Sequence, residues 1–276
     1  MKFQYLGTAA AEGFPALVCT CENCLRARNL GGRAFRTRSQ AIIDGKLLID
    51  FPPDTLLHTH LYDIDLIGVT DCIITHNHSD HLYATDIKMF CPGFAHVPEG
   101  WHMTFHGSSK VGEEIIPALA GKLTTMNVVS FEEISEFVPK KVCGYTVTPL
   151  KAIHAPRTGP VFYQISDGEK TILYANDTYY FDDSVWDYWE KTKPYFDMVS
   201  LDCTHACSPS SAGHMNLEYN AKIRERMLKD GLADENTKFV CHHFSHNGLN
   251  SVYDDFVLIA QKEGFLVSYD GMIINV

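Results

Sequence analysis

Thr75-His76-Asn77-His78-Ser79-Asp80-His81 follows directly on the apolar run Asp71-Cys72-Ile73-Ile74, and the reading of these residues decides the fold. Four of the seven residues, His76, His78, Asp80 and His81, carry side chains that ligate metals. A short apolar run ending in such a cluster reads as a buried strand that delivers donors to its end. On an extended chain His76 and His78 project to the same side. A turn after Ser79 then swings Asp80 and His81 to another side, so one segment serves two neighbouring cations. Imidazole and carboxylate together suit zinc, iron or manganese.

The flanking sequence reads as alternating strands and helices. Lys2 to Leu6 is a strand, and Gln40–Ile43 and Lys46–Asp50 are strands joined at Asp44-Gly45, a hairpin signal. Residues 84 to 139 carry scattered Gly, Pro and aromatic residues and give no clear pattern. Strands resume at 142–150, 161–166, 170–175, 198–202 and 238–241. Helices are expected at 183–191 and at 217–229, the second with Asn216 as N-cap and Gly231 as stop. Ser251-Val252-Tyr253-Asp254 resembles a capping box opening a helix that stops at Gly264. Residues 265–276 read as a final hairpin turning at Asp270-Gly271. No linker or repeat divides the chain, so residues 1–276 are expected to form a single domain.

A second donor cluster, Cys19-Thr20-Cys21-Glu22-Asn23-Cys24, lies in the loop after the first strand. Three thiolates so close can clasp one zinc, and a tetrahedron needs a fourth ligand from elsewhere. The chain has nine cysteines and begins without an apolar leader, which points to thiols or thiolate ligands in the cytoplasm rather than disulfides. A net charge of −11, with no basic run longer than Lys140-Lys141, disfavours long nucleic acids as partners. No stretch approaches a membrane span.

The His76–His81 segment resembles the HxHxDH signature of the metallo-β-lactamase superfamily. That resemblance implies an α/β fold, a four-layer αββα sandwich with its site at one edge. It also implies three further ligands after later strands: His154, Asp177 and His243. By this analogy His76, His78 and His154 hold one metal, Asp80, His81 and His243 hold the other, and Asp177 bridges them. The cysteine cluster narrows the resemblance to PhnP-like phosphodiesterases, which hydrolyse cyclic ribose phosphates. Their last ligand motif matches His242-His243-Phe244-Ser245-His246, so His246 is implied as the fourth ligand of Cys19, Cys21 and Cys24. Asp202-Cys203-Thr204-His205 marks His205 as the implied general acid. The resemblance departs at Asp50-Phe51-Pro52-Pro53-Asp54 and at Ala155-Pro156-Arg157-Thr158-Gly159, where the pocket has its own character.

The expected activity is therefore metal-dependent hydrolysis of small, including cyclic, phosphodiesters by a metal-activated hydroxide. Two divalent metals (zinc or manganese, with iron a further option) and one structural zinc are implied, with Asp80 and His205 as catalytic residues. Arg157 and His214 are candidate substrate contacts, whereas His58, His60, His102 and His106 read as incidental. The alternatives are another hydrolase of the fold (nuclease, ester or thioester hydrolase) or a non-catalytic zinc scaffold. A homodimer is left open.

Overall fold

A computed structural model describes residues 1–121, 127–210 and 213–276. Six strands of the first half, β1 (Lys2–Gly7), β2 (Gln40–Ile43), β3 (Leu47–Ile49), β4 (Asp71–Ile73), β5 (Met103–Gly107) and β6 (Val129–Glu133), form one sheet. The last strand, β14 (Ile273–Asn275), returns to its edge, giving the order β14-β1-β2-β3-β4-β5-β6. The second sheet holds β7 (Lys140–Val142), β8 (Tyr145–Lys151), β9 (Val161–Ser166), β10 (Thr171–Ala175), β11 (Met198–Asp202), β12 (Lys238–His242) and β13 (Leu266–Val267). Its order is β13-β12-β11-β10-β9-β8-β7. In each sheet antiparallel pairs give way to parallel ones, at β3/β4 and at β10/β11.

Period-two alternation explains the layers. Ile43, Leu47, Ile49 and Ile73 face Val147, Tyr163, Ile165 and Tyr174 in a core between the sheets. The intervening Ile42, Leu48, Cys72 and Ile74 point outward to Val111 and Ile115 of helix α3 (Ser109–Leu119). Outside the second sheet, α4 (Asp183–Thr192), α5 (Leu217–Lys229) and α6 (Tyr253–Ala260) bury Trp189, Ile223 and Phe256 against Leu173, Leu201 and Phe239. Two further helices, α1 (Glu22–Leu30) and α2 (Thr55–Tyr62), lie in the β1–β2 and β3–β4 connections. The result is the expected αββα sandwich. Among the described residues no helix is long and apolar enough to cross a membrane.

Two local expectations are corrected. Residues 265–276 are not a hairpin: β13 pairs parallel with β12, whereas β14 pairs antiparallel with β1 in the other sheet. Asp270 explains the crossing. Its carboxylate accepts from Thr8 Oγ1 (2.6 Å), Thr37 N (2.6 Å) and Thr37 Oγ1 (2.7 Å), anchoring the turn to the first sheet. The capping box at 251–254 does not form either. The cap position of α6 is Val252, without a side-chain cap, and the buried Ser251 hydroxyl has no partner. Asn216 does cap α5, accepting from Tyr219 N at 3.0 Å.

His58 of α2 is fully buried, with Nδ1 2.6 Å from Gln40 Oε1 and Nε2 2.6 Å from Thr37 Oγ1. The Gln40 amide nitrogen already donates to Asp50 O and Thr55 Oγ1, so its oxygen accepts from His58 Nδ1. Burial pushes the His58 pKa down to about 4, against a weaker opposing pull from Asp54. The unfolded chain therefore binds the extra proton first, near pH 6.5. Stability from the neutral ring is full above that pH and is lost as pH falls toward 4. Wild type should lose about 3 kcal/mol more than His58→Gln between pH 7 and pH 4. Denaturant unfolding of both proteins across that range measures it, and parallel pH curves would contradict it.

Candidate metal centre

The donors converge where strand ends of both sheets meet. The segment from His76 to His81 follows β4, His154 follows β8, Asp177 follows β10 and His243 follows β12. Parallel registry of β10, β11 and β12 brings the last two ends level, with Ala175 opposite Leu201 and Leu201 opposite Cys241. Asp177 (φ 51°) and His243 (φ 63°) are left-handed, as is Asp50 (φ 66°) at the end of β3. Non-glycine residues seldom adopt this conformation, and they do so at sites where geometry outweighs strain. Here it turns the chain back at the strand end.

Donor separations match edges of a coordination shell. Metal–donor bonds near 2.0–2.1 Å place neighbouring donors about 2.9–3.3 Å apart for angles between 90° and 110°. His78 Nδ1 lies 2.9 Å from His76 Nε2 and 3.2 Å from His154 Nε2. His81 Nε2 lies 3.2 Å from Asp80 Oδ2 and 3.0 Å from Asp177 Oδ2, and His243 Nε2 lies 3.0 Å from the same Asp177 oxygen. His81 Nε2, His243 Nε2 and Asp177 Oδ2 are buried and make no hydrogen bond. Unpaired buried polar atoms are costly, so three that face one another fit a cation in the shared space.

The outward nitrogens explain why these lone pairs face inward. Asp50 Oδ2 lies 2.7 Å from His81 Nδ1, and the Thr75 hydroxyl donates to Asp50 while lying 3.1 Å from His76 Nδ1. The Thr204 hydroxyl donates to His243 O and lies 2.9 Å from His243 Nδ1. Gly213 O lies 3.2 Å from His154 Nδ1. Each partner can accept an Nδ1 proton, which leaves Nε2 as the ligating atom. Gly213 itself has φ 92°, and a Cβ there would meet His154 Nδ1 at 2.9 Å, so glycine is required.

Electrostatics agree with a cation cradle. Burial lowers the His81 proton affinity, but Asp177, Asp80 and Asp50 outweigh it and hold the pKa well above ordinary. A field that favours H⁺ this strongly favours a metal cation at the same place. Burial raises the Asp177 carboxyl, yet His243 and His81 bring it well below the usual range. His76 is kept neutral by burial and by the neighbouring imidazoles.

Cys19, Cys21, Cys24 and His246 form a separate site. Cys19 and Cys21 lie in the loop, whereas Cys24 is in the first turn of α1. Their sulfurs and a His246 nitrogen all lie within 4.8 Å of one another. His246 Nδ1 is 3.5 Å from Cys19 Sγ and 3.4 Å from Cys21 Sγ. A tetrahedral zinc with ordinary Zn–S and Zn–N bonds sets that edge at about 3.6 Å.

Other residues fall outside these sets. His242 points between the sheets, near Ser39 Oγ (2.9 Å) and Ser268 Oγ (3.0 Å). His102 and His106 approach Asn127 O and Asp71 Oδ1. Arg157 is exposed on a short 3-10 turn beyond His154. His214 stands over the centre, its ring 4.9 Å from His154 and 5.7 Å from His243, with Nδ1 2.8 Å from Asp202 Oδ2. Burial lowers its pKa, but buried Asp202 more than offsets this and brings it up to about 9. The ring of His205 lies 6.1 Å from that of His214. Sequence reasoning missed Asp50 and Asp202. Both are aspartates ending a strand, as Asp177 nearly is, and that position was the available signal.

Two facing sheets with a buried imidazole–carboxylate cradle at one edge define a metallo-hydrolase fold. The chain belongs to the beta-lactamase superfamily, whose domain profile matches residues 47–242. No curated protein matches it. Among solved structures it is similar to Zn(2+)-bound PqqB from Methylobacterium extorquens, at 17% identity and TM-score 0.74 over 100% of both chains. It is similar to a diphosphatase from the PhnP family at 19% identity and TM-score 0.72, covering 99% of this chain and 97% of that one. The short form of human tRNase Z aligns at 15% identity and TM-score 0.66, over 100% and 99% of the two chains.

The two sites should separate on mutation. Asp80→Ala is expected to abolish hydrolysis and lose one metal equivalent while remaining folded. Cys21→Ser should lose zinc and lower the thermal midpoint by roughly 5–15 °C. Elemental analysis with thermal melts decides it, and full metal content with activity in Asp80→Ala would refute the assignment.

Proposed function

We propose that the protein is a dinuclear metal-dependent hydrolase of small phosphodiesters. The observation that carries this reading is the His214–Asp202 pair beside a cradle of seven donors with no thiolate among them. His76, His78 and His154 would hold one cation, Asp80, His81 and His243 the other, and Asp177 both. Bound cations supply Lewis-acid polarisation of the phosphoryl oxygens and a nucleophilic water near neutral pH. The chain's own residues supply the rest. Asp177, with Oδ2 3.0 Å from both His81 and His243 and Oδ1 3.9 Å from His154, reaches both halves of the cradle. Asp202 holds His214 through Nδ1, directing Nε2 away from the carboxylate for proton donation. A departing alkoxide needs such an acid, since its conjugate acid is too weak for unassisted departure.

His214 thus takes the proton-delivery role that the sequence reading gave to His205. It borders the ligands His154 and His243 and is held by Asp202, whereas the ring of His205 lies 6.1 Å from that of His214. The acidic chain favours small substrates over long nucleic acids. Similarity to a diphosphatase of the PhnP family supports phosphorus chemistry in general.

Turnover of cyclic and linear diesters by metal-loaded protein tests the reading. His214→Ala should slow an alkyl diester by roughly 10²–10⁴-fold and a nitrophenyl diester far less. His205→Ala should show no such dependence on the leaving group. Reversal of the two variants would return the acid role to His205, and absence of any diester turnover with metals bound would overturn the activity.

A further inference from the structure

Two residues beyond the bridging Asp177 begins a run of aromatics, Tyr179-Tyr180-Phe181, that the chemistry above does not use. Phe181 is buried in the outer core with Trp186 and Trp189. Tyr180 and Tyr219 of α5 pack against that core while remaining half-buried. Tyr179 stands outside it, also half-buried. The rings of Tyr179 and Tyr219 lie 4.9 Å apart at 54°, and Tyr179 OH donates to Tyr219 OH. Hydroxyls bonded to each other hold both rings in one orientation, so the pair is a fixed aromatic corner.

That corner is tied to the metal centre from both sides. Tyr179 N donates to Ile153 O (2.8 Å), and Ile153 N donates to Thr178 Oγ1 (3.0 Å), next to the ligand His154. Tyr219 N donates to the capping Asn216, two residues from His214. Two residues of chain span at most about 7 Å, so the Tyr179 α-carbon lies within that distance of Asp177's. Lys222, one turn further along α5, places Nζ 4.7 Å over the Tyr219 ring while pairing with Glu218.

We propose that Tyr179 and Tyr219 form a stacking subsite for a planar base, and that the phosphoester substrate is therefore nucleoside-type. This rests on the phosphodiester reading above. Tyrosine faces receive bases with little sequence preference, which suits a mononucleotide or dinucleotide ligand rather than a long strand. The first residue of the run lies outside the core, and among the described residues its ring packs on that of Tyr219, an arrangement that core packing does not require.

Binding tests the subsite apart from turnover. Calorimetry on zinc-loaded protein compares adenosine 5′-monophosphate with ribose 5-phosphate, which carries a hydroxyl in place of the base. Wild type should bind the nucleotide on the order of 10-fold or more tightly. Tyr219→Ala and Tyr179→Ala should bring the ratio near one, and Tyr219→Phe should keep most of it. Tyr179→Ala keeps the test open if Tyr219→Ala misfolds, because Tyr179 lies outside the core. Equal affinities in wild type, a preference that survives both alanine variants, or no binding of either compound would overturn the subsite. Base-dependent binding without turnover of the corresponding methyl diesters would instead contradict the phosphodiesterase reading and leave the subsite standing.

Discussion

A carboxylate 3% exposed, ringed by imidazoles, sets the terms for this molecule. Asp177 sits between His81 and His243, Asp80 adds negative charge at the same His81 nitrogen, and Asp50 adds it on the far side of that ring. Three carboxylates around buried imidazoles carry a desolvation cost that hydrogen bonds alone do not offset. Positive charge in the shared space does offset it. The outward hydrogen bonds from Asp50, Thr75, Thr204 and Gly213 then have a single purpose: they fix which nitrogen of each ring faces that charge.

The fold serves this constraint through its symmetry. Each sheet turns from antiparallel to parallel pairing near its middle, so parallel strands of both sheets end along one edge. The thiolate site reinforces that edge. His243 and His246 lie three residues apart, one in each site, and Asn23 of α1 donates to His246 O and Gly248 O at 2.9 Å. A zinc on Cys19, Cys21 and Cys24 would therefore also steady the loop that presents His243.

Much of this was legible in the sequence because metal ligands obey strict local rules. A strand followed by clustered His and Asp leaves few readings, and the resemblance then located donors far apart in the chain. What stayed hidden depends on partners distant in sequence. Helix α3 carries Gly112 and Pro117, which break its pattern. Gly112 is explained only by Phe131, whose ring would lie 2.6 Å from an added Cβ. The final turn resembled a hairpin because Asp-Gly is a local signal, while the bonds from Thr8 and Thr37 that draw it to the other sheet are not local. His205 and His214 were both visible, but only the folded chain shows which one Asp202 holds.

The central claim is that Asp177 joins two cations held by both sheets. Anomalous diffraction from crystals of the metal-loaded protein tests it most directly. Two peaks about 3.5–4 Å apart flanking Asp177, with a third at Cys19, Cys21, Cys24 and His246, are predicted. A single peak within the cradle of saturated protein, or none beside Asp177, would contradict the account.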